Sequence, residues 1–343
     1  MRLIKILLTL CCYSLNVNAQ QATITILDSS HKASLRGLSV VDDNVLWVSG
    51  SSGSVARSMD GGKTFEWITV PGYEKRDFRD IEAFDANTAI IMGIAEPAVI
   101  LKTKDGGKSW YKVFEDSTKG MFLDAMSFDR EKGAVVGDPI NHHAFIAVSE
   151  DGGEHWTPIP ADTLQEGEAF FASSGTNNTL FFYTGEQHAK PFFAFASGGT
   201  ASNFYFFGPA AHTADKRKLP IIQGKESTGA NSLDYNKKNG FVVVGGDFAN
   251  DKDTTLNCVL SHDMGTTWIH PHTPPHGYRS CVIYITNNQL ITCGTSGVDI
   301  SNDGGMNWQL VSNQSFHVVQ KAKKGNAVFL AGSRGKIARL SGY

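Results

Sequence analysis

The sequence predicts an all-β protein, a single ring of about seven four-stranded blades. Three observations predict it: a turn motif repeated at the spacing of one blade, short apolar runs that alternate with a period of two, and a first strand that completes an unfinished last repeat. The turn reads Ser58-Met59-Asp60-Gly61-Gly62 with Phe65 three residues on. It recurs as Thr103-Lys104-Asp105-Gly106-Gly107 with Trp110, Ser149-Glu150-Asp151-Gly152-Gly153 with Trp156, Ser261-His262-Asp263-Met264-Gly265 with Trp268, and Ser301-Asn302-Asp303-Gly304-Gly305 with Trp308. Successive aspartates lie 45, 46, 112 and 40 residues apart, so the long gap has room for one more unit. Phe195-Ala196-Ser197-Gly198-Gly199 reads as its decayed copy.

Each unit divides in the same way. In the second, residues 78–84 alternate as an inner strand, 85–87 turn, 88–94 form an apolar second strand, 98–103 a third, and 110–114 an outer fourth. Inner strands of the other units are expected near Leu35, Phe122, Ala169, Ser232, Tyr278 and Phe316. No segment carries a sustained apolar stripe of period 3.6, which excludes helical solenoids of similar repeat length. The last unit stops at Leu340 without a fourth strand. The run Ala22-Thr23-Ile24-Thr25-Ile26-Leu27 is the strand that closes the ring and covers its edge.

Residues 1–19 read as an export signal: Arg2 and Lys5, a short apolar run, and a small-residue cleavage site at Val17-Asn18-Ala19. The mature chain, 20–343, is then one propeller domain, periplasmic or secreted. With Lys+Arg 31 against Asp+Glu 34, the chain lacks the field that holds a protein on nucleic acid or anionic lipid. Cys258, Cys281 and Cys293 have no zinc spacing. Cys281 and Cys293 face each other across a predicted hairpin, and the reading favoured is two buried free thiols.

The repeated aspartates close hairpins: each carboxylate takes backbone N–H groups of its own turn, and the glycines supply positive φ. Asp60, Asp105, Asp151, Asp263 and Asp303 are therefore structural, and binding chemistry belongs on the opposite face. There the sequence places Arg36, Arg79, Tyr278, Arg279 and His317 near inner-strand starts, with Asp80 beside them, and Glu96, Asp138, His142, His143, Glu186, His188 and Asp247 in the second-to-third loops. Arg36, Arg79 and Arg279 are expected to gather at one side of the channel mouth and attract a carboxylate. The competing reading makes them counter-ions of Asp80, Glu82 and Asp124. Neither the loop histidines nor Asp247, Asp251 and Asp253 form a recognisable metal site, and no cofactor is expected.

The Ser/Thr-x-Asp-Gly-Gly-x-x-Trp copies resemble the BNR or Asp-box repeats of sialidases, sortilin-type receptors, xyloglucanases and the photosystem II stability/assembly factor family. The last is most alike, sharing a small single propeller, an exported chain, and units of the form Leu46-Trp47-Val48-Ser49-Gly50 to Asp60-Gly61-Gly62. That resemblance implies a non-enzymatic scaffold that binds a protein client or assembly intermediate. The alternative is a glycan-active hydrolase or glycan-binding module. The early Arg-Ile-Pro-like motif of sialidases does not occur, and no dinucleotide fingerprint supports an oxidoreductase.

Overall fold

The computed structural model describes residues 22–161, 163–182, 191–208 and 213–343; residues 1–19, expected to be an export signal, and the candidates Glu186 and His188 lie outside them. The described strands form seven antiparallel sheets arranged as blades, with no helix among the described residues. Blade 1 is Leu35–Val40, Leu46–Gly50, Ser54–Ser58 and Glu66–Thr69; blade 2 is Phe78–Ala83, Ala89–Gly93, Ala98–Thr103 and Tyr111–Asp116. Blade 3 is Leu123–Asp129, Lys132–Ile140, His143–Ser149 and Thr157–Pro158; blade 4 is Asn178–Phe181, Phe192–Ala196, Asn203–Phe207 and Asp215–Lys218. Blade 5 has Thr228–Tyr235, Phe241–Asp247 and Cys258–Ser261, its outer position reduced to a bridge between Leu260 and Ile269. Blade 6 is Cys281–Tyr284, Leu290–Gly294, Gly297–Ser301 and Gln309–Ser312.

Blade 7 joins Val318–Lys321, Val328–Ala331 and Ile337–Ser341 to the first strand of the chain, Thr23–Asp28, which pairs Ile24 with Leu340 and Thr25 with Arg339. Ile24 and Leu27 pack against the apolar cluster of blades 1, 6 and 7. Second and third strands such as Ala89–Gly93 and Ala98–Thr103 are buried throughout, because neighbouring blades cover both faces. That is why they read as continuous apolar runs while outer strands are mixed.

Two expectations for blade 4 are corrected. Its inner strand is Asn178–Phe181, whereas Ala169 lies on a short strand, Glu168–Ala169, that pairs with Gly198–Gly199 beside blade 5. The decayed motif at 195–199 therefore begins at the end of the second strand, on the face opposite the aspartate turns. It matches the complete copies only in the pair Gly198-Gly199, and has Ser197 where they have the carboxylate that holds the turn.

In the five complete turns a hydroxyl and a carboxylate share the work. Ser58 Oγ accepts the Gly62 N–H at 2.9 Å and donates to Asp60, whose two oxygens take the Thr64 N–H at 2.9 Å and the Thr64 hydroxyl at 2.7 Å. Thr103, Asp105, Gly107 and Ser109 repeat this at 2.5 to 2.9 Å. Gly61 and Gly62 have φ of 74° and 84°, and in the fourth copy Met264 takes φ 59° where the others have glycine. Hydrogen bonds to the charged form, those from residue 64 or 109 foremost, pull Asp60 and Asp105 down to about 2.

Cys281 and Cys293 are direct cross-strand partners in blade 6 and both are buried free thiols. Along the channel, a side chain of one inner strand accepts an N–H of the next. Ser39 takes Ala83 at 3.0 Å, Asp80 takes Met126 at 2.7 Å, Ser232 takes Val282 at 3.0 Å, Asp234 takes Tyr284 at 2.6 Å, and Cys281 takes Val319 at 3.4 Å. Asp80 is thus a bond between blades 2 and 3, its other oxygen held by the Ile81 N–H at 2.8 Å.

Two predictions concern closure and turns. Deleting residues 22–29 opens the edge of Ile337–Ser341 and should lower Tm sharply in calorimetry, whereas an unchanged melting curve would rule out closure by this strand. Asp105→Ala should lower Tm by a few degrees near neutral pH. Because the folded carboxyl titrates below its ordinary range, the bonds it makes stabilise above about pH 4 and are lost as pH falls toward 2. The gap between variant and parent should therefore shrink over that interval.

Candidate functional site

The site is built by a repeated irregularity in the inner strands. Pairing with the second strand shifts register between Leu35 and Gly37, between Phe78 and Asp80, between Leu123 and Ala125, and between Ala230 and Ser232. The skipped residues are Arg36, Arg79, Asp124 and Asn231, and a bulge turns the extra side chain out of the ladder. The backbone extends the series: Leu35, Leu123, Arg279 and Phe316 each donate an N–H to the second-strand end of the preceding blade, at Gly332, Ile94, Gly245 and Gly294. The residues that follow them, Arg36, Asp124, Ser280 and His317, thus hold equivalent places.

Arg36, Arg79, Asp124, Ser280 and His317 line one cavity of about 500 Å³ at the face opposite the aspartate turns, with Asp138, Tyr278 and the rings of Phe122, Phe170, Phe171 and Phe248. Arg36 spends one donor on Ser173 O at 3.0 Å. Burial and the charge of Arg79 hold its guanidinium below the ordinary value. Arg79 donates from Nε to Asp77 at 2.8 Å and lies 5.9 Å from the Phe122 ring centre. His317 is pushed down to about 4, chiefly by burial and then by Arg36. It is neutral at pH 7, with Nδ1 donating to Leu35 O at 2.9 Å and Nε2 accepting from Ser333 Oγ at 3.2 Å. Burial raises Asp138 to about 6 against one opposing bond, from the Phe170 N–H at 3.0 Å.

The floor of this cavity is a segment that inner-strand reasoning did not anticipate. Residues 170–177 cross the channel: Ser174 Oγ donates to Ser280 O at 2.7 Å, Thr176 meets Ser232 Oγ at 2.7 Å, and Thr176 O accepts the Leu233 N–H at 2.9 Å. Gly175 has φ +68°, and a Cβ there would lie 2.3 Å from Asp80 Cγ, so only glycine fits between the pinned carboxyl and the strands around it. Beyond the segment a second cavity of about 660 Å³ opens among the inner-strand ends, where Lys323 pairs with Glu82 at 2.6 Å.

The expected set is therefore only partly brought together. Arg36, Arg79 and Asp138 share the cavity. Arg279 does not: it occupies the slot filled by Leu35, Leu123 and Phe316, is fully buried, and makes a two-armed bond to Asp299, which also holds His276 at 2.6 Å. Its counter-ion is Asp299, and that of Arg79 is Asp77, in place of the Asp80, Glu82 and Asp124 of the competing reading. Asp80 bonds blade to blade, and Glu96 sits on an exposed loop accepting the Gly120 N–H at 3.1 Å. Aligning the repeats on the apolar residue before each bulge would have moved the choice from Arg279 to Ser280 and singled out Asp124. No sequence signal marks the crossing segment beyond the long gap between the third and fourth complete motifs.

No protein-family model matches the chain. Over 164 residues it is 23% identical to the photosystem II stability/assembly factor HCF136, chloroplastic, of Oryza sativa subsp. japonica, an alignment covering 46% of this chain and 38% of that protein. Among solved structures, YCF48 bound to D1 peptide matches with a TM-score of 0.65 at 17% identity, over 95% of this chain and 97% of that one. It is similar to the photosystem II stability/assembly factors. YCF48 from Cyanidioschyzon merolae gives a TM-score of 0.62 at 16% identity, covering 92% and 98% of the two chains. The Pan2 WD40 domain of Neurospora crassa follows at 0.60 and 13%, covering 94% and 96%. The ring is thus shared beyond the assembly factors, and at these identities the YCF48 matches speak for fold.

The two arginine environments predict opposite outcomes. Arg279→Ala leaves the buried Asp299 with His276 as its one remaining side-chain partner among the described residues and should cost about 3 kcal/mol in denaturant unfolding. Arg79→Ala, at a side chain 29% exposed, should melt close to the parent. Gly175→Ala should also destabilise, measured the same way, because the added methyl displaces Asp80 from its two N–H bonds.

Proposed function

We propose that this is an exported, non-enzymatic propeller that binds a protein client at the cavity opposite the aspartate turns, holding an anionic peptide segment there. The observation that carries the reading is the pair Arg36 and Arg79. They are adjacent blades' bulged residues, each with guanidinium donors uncommitted among the described residues, and aromatic rings frame them. Phe248, 48% exposed, stands edge-on to Phe171 at 5.8 Å and supplies an apolar rim for neighbouring side chains. The fold likeness to a YCF48 solved with a D1 peptide supports a peptide as occupant.

The glycan-hydrolase alternative would assign Asp124 and Asp138 as its carboxyl pair. Burial raises both, Asp138 to about 6, but hydrolysis by two carboxyls makes no use of the arginine pair beside them, which binding does use. Binding accounts for the arrangement with fewer demands.

Fluorescence polarisation with a labelled octapeptide containing two glutamates, against its glutamine counterpart, tests the proposal. The acidic peptide should bind more tightly and lose affinity with added salt, and Arg79→Ala should weaken it about tenfold, or about 1.4 kcal/mol, with a flatter salt dependence and unchanged Tm. Equal binding of both peptides by parent and variant would overturn it.

A further inference from the structure

We propose that the segment held in this cavity is dipolar, an acidic group on Arg36 and Arg79 and, beside it, a cationic side chain seated on Asp124. This rests on the peptide-binding reading and adds to it the second half of the ligand.

The ground is the state of Asp124. Around the ring the bulged residues of blades 1, 2 and 3 are Arg36, Arg79 and Asp124, so the cavity wall passes from two cations to an acid. Asp124 is fully buried, and neither carboxyl oxygen receives a well-formed hydrogen bond among the described residues; the backbone N–H groups of Asp138 and Ala172 only approach it and fall short of offsetting its burial. Other buried aspartates are satisfied. Asp80 holds two N–H groups, Asp247 holds that of Ala249, and Asp299 holds Arg279 and His276. An acid buried without partners costs free energy, and such groups cluster where a ligand completes them. Arg79 makes no hydrogen bond to it: its Nε is taken by Asp77 and its face lies over Phe122, and its charge offsets only part of the cost of burying Asp124.

A purely anionic ligand would leave Asp124 as it is and, with both acids ionised, be repelled by Asp124 and Asp138. An ammonium or guanidinium supplies the missing donors and neutralises that half of the wall, while the neighbouring carboxylate meets the arginines. In an extended peptide, residues two apart project to the same side, so a lysine two positions from a glutamate presents both groups to one wall.

The pH dependence separates the two kinds of ligand. The charged and titratable groups that line the cavity with Asp124 are Arg36, Arg79, Asp138, Tyr278 and His317, and Asp77 stands behind Arg79 as its ion-pair partner. Burial, then the charge of Asp138, keeps Asp124 toward its neutral form, and Asp138 itself ionises near 6. His317 stays neutral down to about 4, and Tyr278 is pushed up to about 12 by burial, so neither changes charge between. Seating a cation draws the proton off Asp124. Affinity for a dipolar peptide therefore rises with pH, whereas affinity for an acid-only peptide falls as the wall gains negative charge.

Three labelled octapeptides on a glycine-serine background, with glutamate alone, lysine alone, or lysine two residues from glutamate, provide the test from about pH 5 to about pH 8. The parent should bind the lysine-glutamate peptide about tenfold more tightly than the glutamate one at the upper end, with the two pH trends opposed. Asp124→Asn, an isosteric change that keeps the cavity's shape, should abolish that preference while the glutamate peptide binds as well or better. Equal affinity of the glutamate and lysine-glutamate peptides in the parent, or a preference that survives Asp124→Asn, overturns this inference and leaves the peptide-binding reading intact. If no peptide binds to a parent that melts normally, both fall.

Discussion

The inner edge of every blade faces a channel with no further strand to pair with, and the ring holds together by meeting that need sideways. Buried N–H groups must find acceptors. Here Ser39, Asp80, Ser232, Asp234 and Cys281 reach from one inner strand to the backbone of the next. Such a bond requires a short acceptor side chain one residue past the bulged position, as at Asp80, Ser232 and Cys281, or three past it, as at Ser39 and Asp234. The same bond that joins the blades therefore fixes where each bulge falls, and with it which side chains the mouth presents.

Burial works against ionisation at the same positions. Asp80 and Asp234 both titrate above the usual carboxyl range because desolvation outweighs the two N–H groups each accepts. The aspartate turns are the reverse: exposed, richly hydrogen-bonded and held low. One residue type serves as a staple in both places, and its surroundings alone decide whether it carries charge.

Much of the fold was legible in the sequence because the turns repeat and their hydrogen bonds are local: Ser58, Asp60 and Thr64 lie within seven residues of one another. The closing strand was legible because Ala22-Thr23-Ile24-Thr25-Ile26-Leu27 alternates and the last unit is short. Blade 4 was not, since its turn carries no aspartate and the glycine pair at 198–199 pairs with blade 5's neighbourhood instead. The mouth was half legible. Arg36 and Arg79 follow an apolar residue in the way the bulge demands, but Arg279 is itself in the apolar residue's place, and its burial depends on Asp299, twenty residues on, which no local pattern reveals. Asp124 looked like an ordinary counter-ion because a missing partner leaves no trace in sequence.

The segment at 170–177 makes the ring a cup and not a pipe. Its bonds run to blades 1, 5 and 6, and Gly175 rests on a side chain of blade 2. A chain entering at Arg36 meets backbone at Ser173 and can go no deeper. What the mouth admits is thus an end or a tight loop, never a strand passed through from one side to the other. Whatever occupies the opposite hollow among Glu82, Asp234 and Lys323 is a separate guest, kept apart by eight residues of polypeptide.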